Sequence, residues 1–138
     1  MTGFTQVAAA LVLDASFAIE ALQGDARALE ALELHTAADG PKLVPAHFWL
    51  ETANALVRTR PSESMVIADL RILAEAGVEA ADRGMAGLVD TIGLARKHGL
   101  TTYDAAYLQL ALDVEGELGT FDKALARAAA TEGVVVRP

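Results

Sequence analysis

The stretch Val7-Ala8-Ala9-Ala10-Leu11-Val12-Leu13-Asp14 contains seven consecutive apolar residues and ends at an aspartate. An unbroken apolar run of this length is typical of a strand that is buried on both faces of a parallel sheet. We therefore predict that residues 7–13 form the central strand of the domain. Ligands of open α/β sheets bind beyond the carboxyl ends of the strands, so Asp14 stands where a functional site is expected.

The rest of the chain alternates short apolar segments with amphipathic ones, which predicts an α/β domain with a mainly parallel sheet flanked by helices. Helices 47–59 and 62–76 are separated only at Pro61, so they form a protruding helical hairpin. The helix that begins at Thr101 or Thr102 is apolar nearly all round, and we expect it to lie deep in the core. The other predicted elements are strands 42–44, 78–81, 118–121 and 134–136 and helices 16–22, 25–38, 85–97 and 123–130.

The spacing of large apolar residues predicts the core-facing side of two helices. In helix 62–76 the predicted inward residues are Met65, Val66, Leu70, Leu73 and Ala74. In helix 85–97 they are Leu88, Val89, Ile92 and Ala95. Both helices are therefore expected to present one continuous apolar face to the sheet.

Composition limits the classes of protein to which the chain can belong. Its 138 residues fit one domain spanning residues 1–138, and 53% hydrophobic residues exclude a disordered chain. It has no cysteine, which suits a reducing compartment, and we expect a cytoplasmic protein with no membrane span. Eleven Lys and Arg against 19 Asp and Glu give a net charge of -8. This charge disfavours uniform coating of nucleic acid, so any contact with nucleic acid must be local.

Four acidic residues occupy positions where strands end or helices begin. Asp14 and Asp122 end predicted strands, Asp104 lies in the first turn of the core helix, and Glu51 lies early in the helix after the second strand. Two carboxylates about 5 Å apart repel by roughly 3 kcal/mol at an effective dielectric constant near 20. If all four gather at one edge of the sheet, they require protons or a cation, and carboxylate oxygens are ligands of Mg²⁺ and Mn²⁺.

A plainer interpretation is available for the three aspartates, because Asp is favoured at helix N-caps and in first turns. Thr101 and Asp104 even have the spacing of a capping box. Other catalytic signals are missing: His35, His47 and His98 are too scattered for a helical metal pair, and no serine lies in a nucleophile elbow. We interpret the three histidines as packing or surface residues.

Four segments carry the acids in distinctive local contexts: Val12-Leu13-Asp14-Ala15-Ser16, Glu51 with Asn54, Leu100-Thr101-Thr102-Tyr103-Asp104-Ala105-Ala106-Tyr107-Leu108, and Leu118-Gly119-Thr120-Phe121-Asp122 with Lys123 and Leu125. In this order, over essentially the whole chain, they resemble the PIN-domain family. The similarity is strongest to its VapC-like toxins, which are ribonucleases of toxin-antitoxin pairs.

The resemblance implies a PIN-like three-layer fold and a metal-dependent endoribonuclease. It places Asp14, Glu51, Asp104 and Asp122 in the family's acidic quartet, with Asp14 and Asp104 as principal ligands of Mg²⁺ or Mn²⁺. It gives Ser16, Asn54 and Thr120 the task of orienting the acids or the substrate. The cations that we expect to be available for RNA are Arg58, Arg60, Arg96, Lys97 and Lys123.

The leading hypothesis is therefore an endoribonuclease toxin that is silenced by a cognate antitoxin and forms a homodimer. Two alternatives remain open. One is an acidic α/β phosphohydrolase of another kind, although the Asp-x-Asp of aspartyl-phosphate phosphatases is missing after the first strand. The other is a non-catalytic binding domain whose acids only cap helices. The hairpin 47–76 offers apolar residues to a partner, and the acids offer negative charge.

Overall fold

A computed structural model describes residues 9–138. Five parallel strands form one sheet in the order β3-β2-β1-β4-β5, and seven helices flank it. The predicted α/β class, the parallel sheet and the central position of the first strand are confirmed. The strands are β1 (Leu11–Leu13), β2 (Lys42–Val44), β3 (Val78–Ala80), β4 (Glu117–Gly119) and β5 (Val136–Arg137). The helices are α1 (Ala15–Leu22), α2 (Ala26–Ala37), α3 (Phe48–Thr59), α4 (Glu63–Glu75), α5 (Met85–His98), α6 (Thr102–Asp113) and α7 (Lys123–Thr131).

Strand β1 is the centre of the core, since all three of its residues are fully buried. Within the described residues it begins at Leu11 rather than at Ala9, while Val7 and Ala8 of the predicted strand lie outside the described part of the chain. The chain before Leu11 passes very close to two glycines: a Cβ on Gly40 or on Gly116 would lie less than 3 Å from the carbonyl oxygen of Ala9 or Ala10. Only glycine permits this approach without a shift of the backbone.

The last two strands differ from the predicted bounds. Strand β4 ends at Gly119, and β5 begins at Val136 rather than at Val134. The backbone N–H of Val134 donates to the carbonyl of Ala129 at 2.9 Å, so Val134 is held by the end of α7 and not by the sheet. An apolar residue that is buried against a helix end cannot be distinguished from a strand residue by hydrophobicity alone.

Helix α6 is the core helix, as predicted. Ala105, Tyr107, Leu108, Leu110 and Ala111 are buried on it, and it packs against β1, β4, α5 and α7. Because α6 packs against strands and helices on several sides, its first turn is held in a fixed position relative to the sheet.

The predicted inward faces of α4 and α5 are wrong in part. On α4 only Val66 and Leu73 are buried, whereas Met65 and Ala74 are exposed. On α5, Ala95 is buried as predicted, but Leu88, Val89 and Ile92 are 45–60% exposed. The contact face of α5 instead contains the buried Thr91, one turn before Ala95, because small side chains let α5 lie close to α6.

No helix within residues 9–138 combines the length and the apolar character needed to cross a membrane.

Candidate active site

Asp14 stands at the carboxyl end of β1, where the chain turns into α1. Its Oδ1 accepts the backbone N–H of Phe17 at 2.9 Å, so Asp14 is the N-cap of α1. The Phe17 ring in turn covers Gly119, where a Cβ would lie 2.9 Å from the ring. The absence of a side chain at Gly119 therefore brings α1 close to the end of β4, and Asp14 with it.

Two hydroxyl groups tie Asp14 to the loop after β4. Ser16 Oγ donates to Asp14 Oδ1 at 2.6 Å and accepts the backbone N–H of Phe121 at 2.9 Å. Thr120 Oγ1 donates to Asp14 Oδ2 at 2.5 Å and accepts the backbone N–H of Asp122 at 3.0 Å. The structure thus brings Ser16 and Thr120 to Asp14, and both carboxylate oxygens are oriented by neighbouring hydroxyls.

The capping interpretation applies to two of the three aspartates. Asp122 Oδ1 accepts the backbone N–H of Leu125 at 2.9 Å, which makes Asp122 the N-cap of α7. Asp104 is not a cap, because Thr101 Oγ1 accepts the backbone N–H of Asp104 and caps α6. Thr101 thus forms its half of the predicted capping box, and no backbone N–H donates to the Asp104 carboxylate within the described residues.

The three aspartates share one electrostatic environment. Burial raises the pKa of Asp14 despite the hydrogen bonds from Ser16, Thr120 and Phe17, and the charge of Asp122 raises it further. The pKa of Asp104 is also raised, first by burial and then by the charge of Asp122. Asp122 therefore lies near enough to both to disfavour their ionised forms, and a bound cation would remove this repulsion.

Glu51 reaches the same region from α3. Its Oε1 accepts a hydrogen bond from the Tyr107 hydroxyl at 3.1 Å, and its Oε2 lies 4.0 Å from His47 Nε2. Burial raises the pKa of Tyr107, and so do the charges of Glu51, Asp14 and Asp104. Tyr107 therefore lies near Glu51 and near two of the aspartates, and the Glu51 side chain is 35% exposed.

Asn54 is exposed and lies on α3 one turn after Glu51. It helps to line an open cleft of about 450 Å³ together with His47, Leu50, Glu51 and Tyr103. Asn54 thus lines the same cleft as Glu51.

Two residues at this site were not singled out from the sequence. Tyr107 is fully buried, and its hydroxyl donates a hydrogen bond to Glu51. Its position three residues after Asp104 on one helix is a signal that could have linked it to the site. His47 was interpreted as a packing or surface residue, and its ring lies edge-on to Tyr103 and Tyr107 with centroids 5.5 and 5.0 Å away.

The donor set fits a hydrated divalent cation better than an all-protein cage. Within residues 9–138, no group of three or more His, Asp or Glu side chains is placed so that the group could hold a metal ion by itself. Mg²⁺ commonly keeps several water ligands and takes only one or two carboxylates, and Mn²⁺ also prefers oxygen donors. Asp14, Asp104 and Asp122 supply such oxygen donors, and the charge of Asp122 disfavours the ionised forms of the other two.

Of the five cations proposed for RNA, two are engaged in ion pairs. Arg60 Nε lies 2.7 Å from Asp69 Oδ2, and Lys97 Nζ lies 2.7 Å from Glu132 Oε2. Arg58, Arg96 and Lys123 are exposed and form no ion pair within the described residues. The latter three are the cations that remain available to an anionic ligand.

Comparison with known proteins yields a consistent set of relatives. The profile of the PIN domain matches residues 11–131. Ribonuclease VapC3 of Pyrobaculum aerophilum is 34% identical over 130 residues, which cover 84% of this chain and 92% of that protein.

Two solved structures share the fold. The Mycobacterium tuberculosis VapC20 toxin, described as cleaving the sarcin-ricin loop, superposes with a TM-score of 0.67 at 21% identity and covers 94% of this chain and 100% of that one. A toxin-antitoxin complex from Klebsiella pneumoniae superposes with a TM-score of 0.63 at 18% identity and covers 85% of this chain and 91% of that one.

Proposed function

Since the chain belongs to the PIN-domain family, we propose that it is an endoribonuclease, the toxin of a toxin-antitoxin pair, that hydrolyses RNA with the help of Mg²⁺ or Mn²⁺. The observation that carries the proposal is the meeting of acids from separate elements. Asp122, at the start of α7, raises the pKa values of both Asp14 and Asp104, which lie after β1 and on α6. If the aspartates served only their own helices, the three helix ends would have no reason to bring these carboxylates close together.

We assign Asp14 and Asp104 as the principal metal ligands, with Asp122 and Glu51 completing the set directly or through water. Ser16 and Thr120 hold the Asp14 carboxylate in one orientation. A bound divalent ion lowers the pKa of a coordinated water and offsets charge on the phosphoryl oxygens. The N-termini of α1 and α7, which begin next to Asp14 and Asp122, favour a phosphate beside the acids.

We assign the binding of RNA to local cations, because the net charge of -8 repels phosphates at long range. Arg58, Arg96 and Lys123 are the candidates, and Lys123 follows Asp122 directly. Asn54 faces the cleft from beside Glu51 and is assigned to substrate contact.

Cleavage of a mixed RNA pool tests the activity. With Mg²⁺ or Mn²⁺ we expect discrete cleavage products, and with excess chelator we expect none. Intact RNA under all metal conditions, from protein that is folded and free of partner, would refute the ribonuclease proposal. Equal cleavage with and without chelator would refute the role of the metal.

We also propose an antitoxin partner and a homodimer. The antitoxin proposal is supported by the hairpin of α3 and α4, where Leu50, Val57 and Ile72 are 55–78% exposed and Leu50 lines the cleft that contains Glu51. An amphipathic segment with a basic residue suits such a surface. The homodimer proposal is supported by α5, where Met85 and Val89 are 60–72% exposed. Apolar patches of this kind often mark protein interfaces.

Purification from the native operon tests both partners. We expect a small second protein to co-purify with the chain and the isolated chain to have the mass of a dimer. A chain that purifies without a partner and with the mass of a monomer would refute both proposals.

A further inference from the structure

Tyr107 is a polar side chain in the deepest part of the molecule. It is fully buried, and within the described residues the hydrogen bond of its hydroxyl goes to Glu51 Oε1 at 3.1 Å. A buried tyrosine hydroxyl usually requires a partner, and this one finds it 56 residues away on another helix. The bond therefore connects the core helix α6 to α3.

The position of Tyr107 on α6 brings its hydroxyl to the acids. It follows Asp104 by three residues, so both side chains lie on the same face of the helix. The charges of Glu51, Asp14 and Asp104 all raise the pKa of Tyr107, which agrees with this placement. Tyr107 thus stands among the acids without adding to their charge.

Glu51 differs from Asp14 and Asp122 because no helix end fixes its carboxylate. Its Oε2 lies 4.0 Å from His47 Nε2, which is too long for a hydrogen bond, and the side chain is 35% exposed to the cleft. In the described part of the chain, the Tyr107 hydroxyl is the donor that holds this carboxylate. Without that donor, the long glutamate side chain would be free to change rotamer toward solvent.

We propose that Tyr107 is a positioning residue whose buried hydroxyl holds the Glu51 carboxylate in place for the divalent ion. The inference rests on the proposed function, since it assigns Glu51 to the metal. It predicts that loss of one oxygen atom from a residue that does not touch the ion weakens binding of the ion. Partners that orient metal ligands typically change metal affinity by about tenfold or more when they are removed.

Tyr107→Phe removes the hydroxyl and keeps the ring, and Tyr103→Phe is a matched control. Tyr103 lies one turn earlier on α6, is 62% exposed, and its hydroxyl forms no hydrogen bond within residues 9–138. Mn²⁺ binding is measured by titration of the whole protein without RNA, and folding is checked by urea unfolding in chelator. We expect Tyr107→Phe to be folded and to bind Mn²⁺ about tenfold more weakly. Tyr103→Phe should bind Mn²⁺ like the parent.

A second comparison asks whether Tyr107 acts through Glu51. In a Glu51→Ala background there is no carboxylate to position, so adding Tyr107→Phe should leave Mn²⁺ affinity unchanged. The inference is overturned if Tyr107→Phe lowers Mn²⁺ affinity equally in the parent and in the Glu51→Ala background. It is also overturned if Tyr107→Phe alone leaves Mn²⁺ affinity unchanged, or if the Tyr107→Phe protein does not fold in chelator. If the parent protein itself binds no Mn²⁺, the proposed metal-dependent function fails together with the inference. This result distinguishes failure of the proposed function from failure of the inference alone.

Discussion

Helices α1 and α2 begin in the same way and yet place their first aspartates in opposite environments. Asp14-Ala15-Ser16 opens α1, and Asp25-Ala26-Arg27 opens α2. Both aspartates accept backbone N–H groups of the first turn. The pKa of Asp25 is lowered, chiefly by the backbone bond from Ala28 and with a smaller contribution from the Arg27 charge. The pKa of Asp14 is raised, chiefly by burial.

This comparison separates capping from function. A capping aspartate at the surface is stabilised in its charged form by the free N–H groups and the helix dipole. Asp14 receives that help and two hydroxyl hydrogen bonds, and its charge is still disfavoured. The raised pKa of Asp14 agrees with the proposed role of its carboxylate as a ligand of a divalent cation.

RNA cleavage should show the largest difference between the two capping aspartates, Asp14 and Asp25. Asn caps a helix about as well as Asp, so Asp25→Asn should cleave like the parent. Asp14→Asn and Asp104→Asn should cleave RNA more than about a hundredfold more slowly than the parent. A hundredfold is the upper end of the loss seen when a residue that orients a metal ligand is removed. The measurement is the initial rate on a mixed RNA pool with Mg²⁺ or Mn²⁺.

The stability of these variants decides how that result is interpreted. If folded Asp14→Asn and Asp104→Asn both cleave RNA like the parent, neither aspartate is a metal ligand and the nuclease assignment fails. If both are unfolded, Asp122→Asn takes their place in the same assay. Circular dichroism of each sample distinguishes these cases.

The effect of the metal on the melting temperature should give a second, smaller difference between Asp14 and Asp25. An ion that binds only the folded protein adds about 1.4 kcal/mol at a tenfold excess over its dissociation constant. For a chain of this size, the melting temperature should rise by about 5 °C. The parent and Asp25→Asn should show this rise with Mg²⁺ or Mn²⁺ at fixed ionic strength, and Asp14→Asn should lose most of it. An equal rise in all three proteins would place the ion elsewhere.

The smallest contrast is the pH dependence of stability in chelator. Because its folded pKa is raised, Asp14 stabilises the metal-free protein as pH falls from neutral toward the ordinary value of 3.8, and this contribution is lost as pH rises. The lowered pKa of Asp25 has the opposite effect: its contribution is present above 3.8 and is lost as pH falls through the lower folded value.

Urea unfolding of the parent and the two asparagine variants across this range measures the difference. At neutral pH, Asp14→Asn should be at least as stable as the parent, while Asp25→Asn should be less stable. The advantage of the parent over Asp14→Asn should appear only on acidification. The same pH dependence in both variants would show that Asp14 is an ordinary surface cap.

Much of the candidate site could be predicted from the sequence, because each acid stands in a local sequence pattern that predicts its position in the fold. The end of an apolar run locates Asp14, and the near-continuous apolar helix locates Asp104 at the core. Tyr107 illustrates the limit. Its ring has the spacing of a core residue, and only the tertiary structure shows that its hydroxyl meets Glu51 on α3. The metal ligands themselves stay a prediction, which the aspartate variants test.

The sequence by itself determined the order of strands and helices, the buried central strand and the carboxylates at its end, because these depend on hydrophobic runs and on breaks within a few residues. Only the tertiary structure decided which face of α5 is buried and which caps share a site. Beside the correctly predicted Ala95, Thr91 is buried in place of Leu88 and Ile92, since close packing against α6 favours small side chains over larger apolar ones. Likewise, Asp14 and Asp25 differ through the burial and charge supplied by distant residues, which local sequence does not encode.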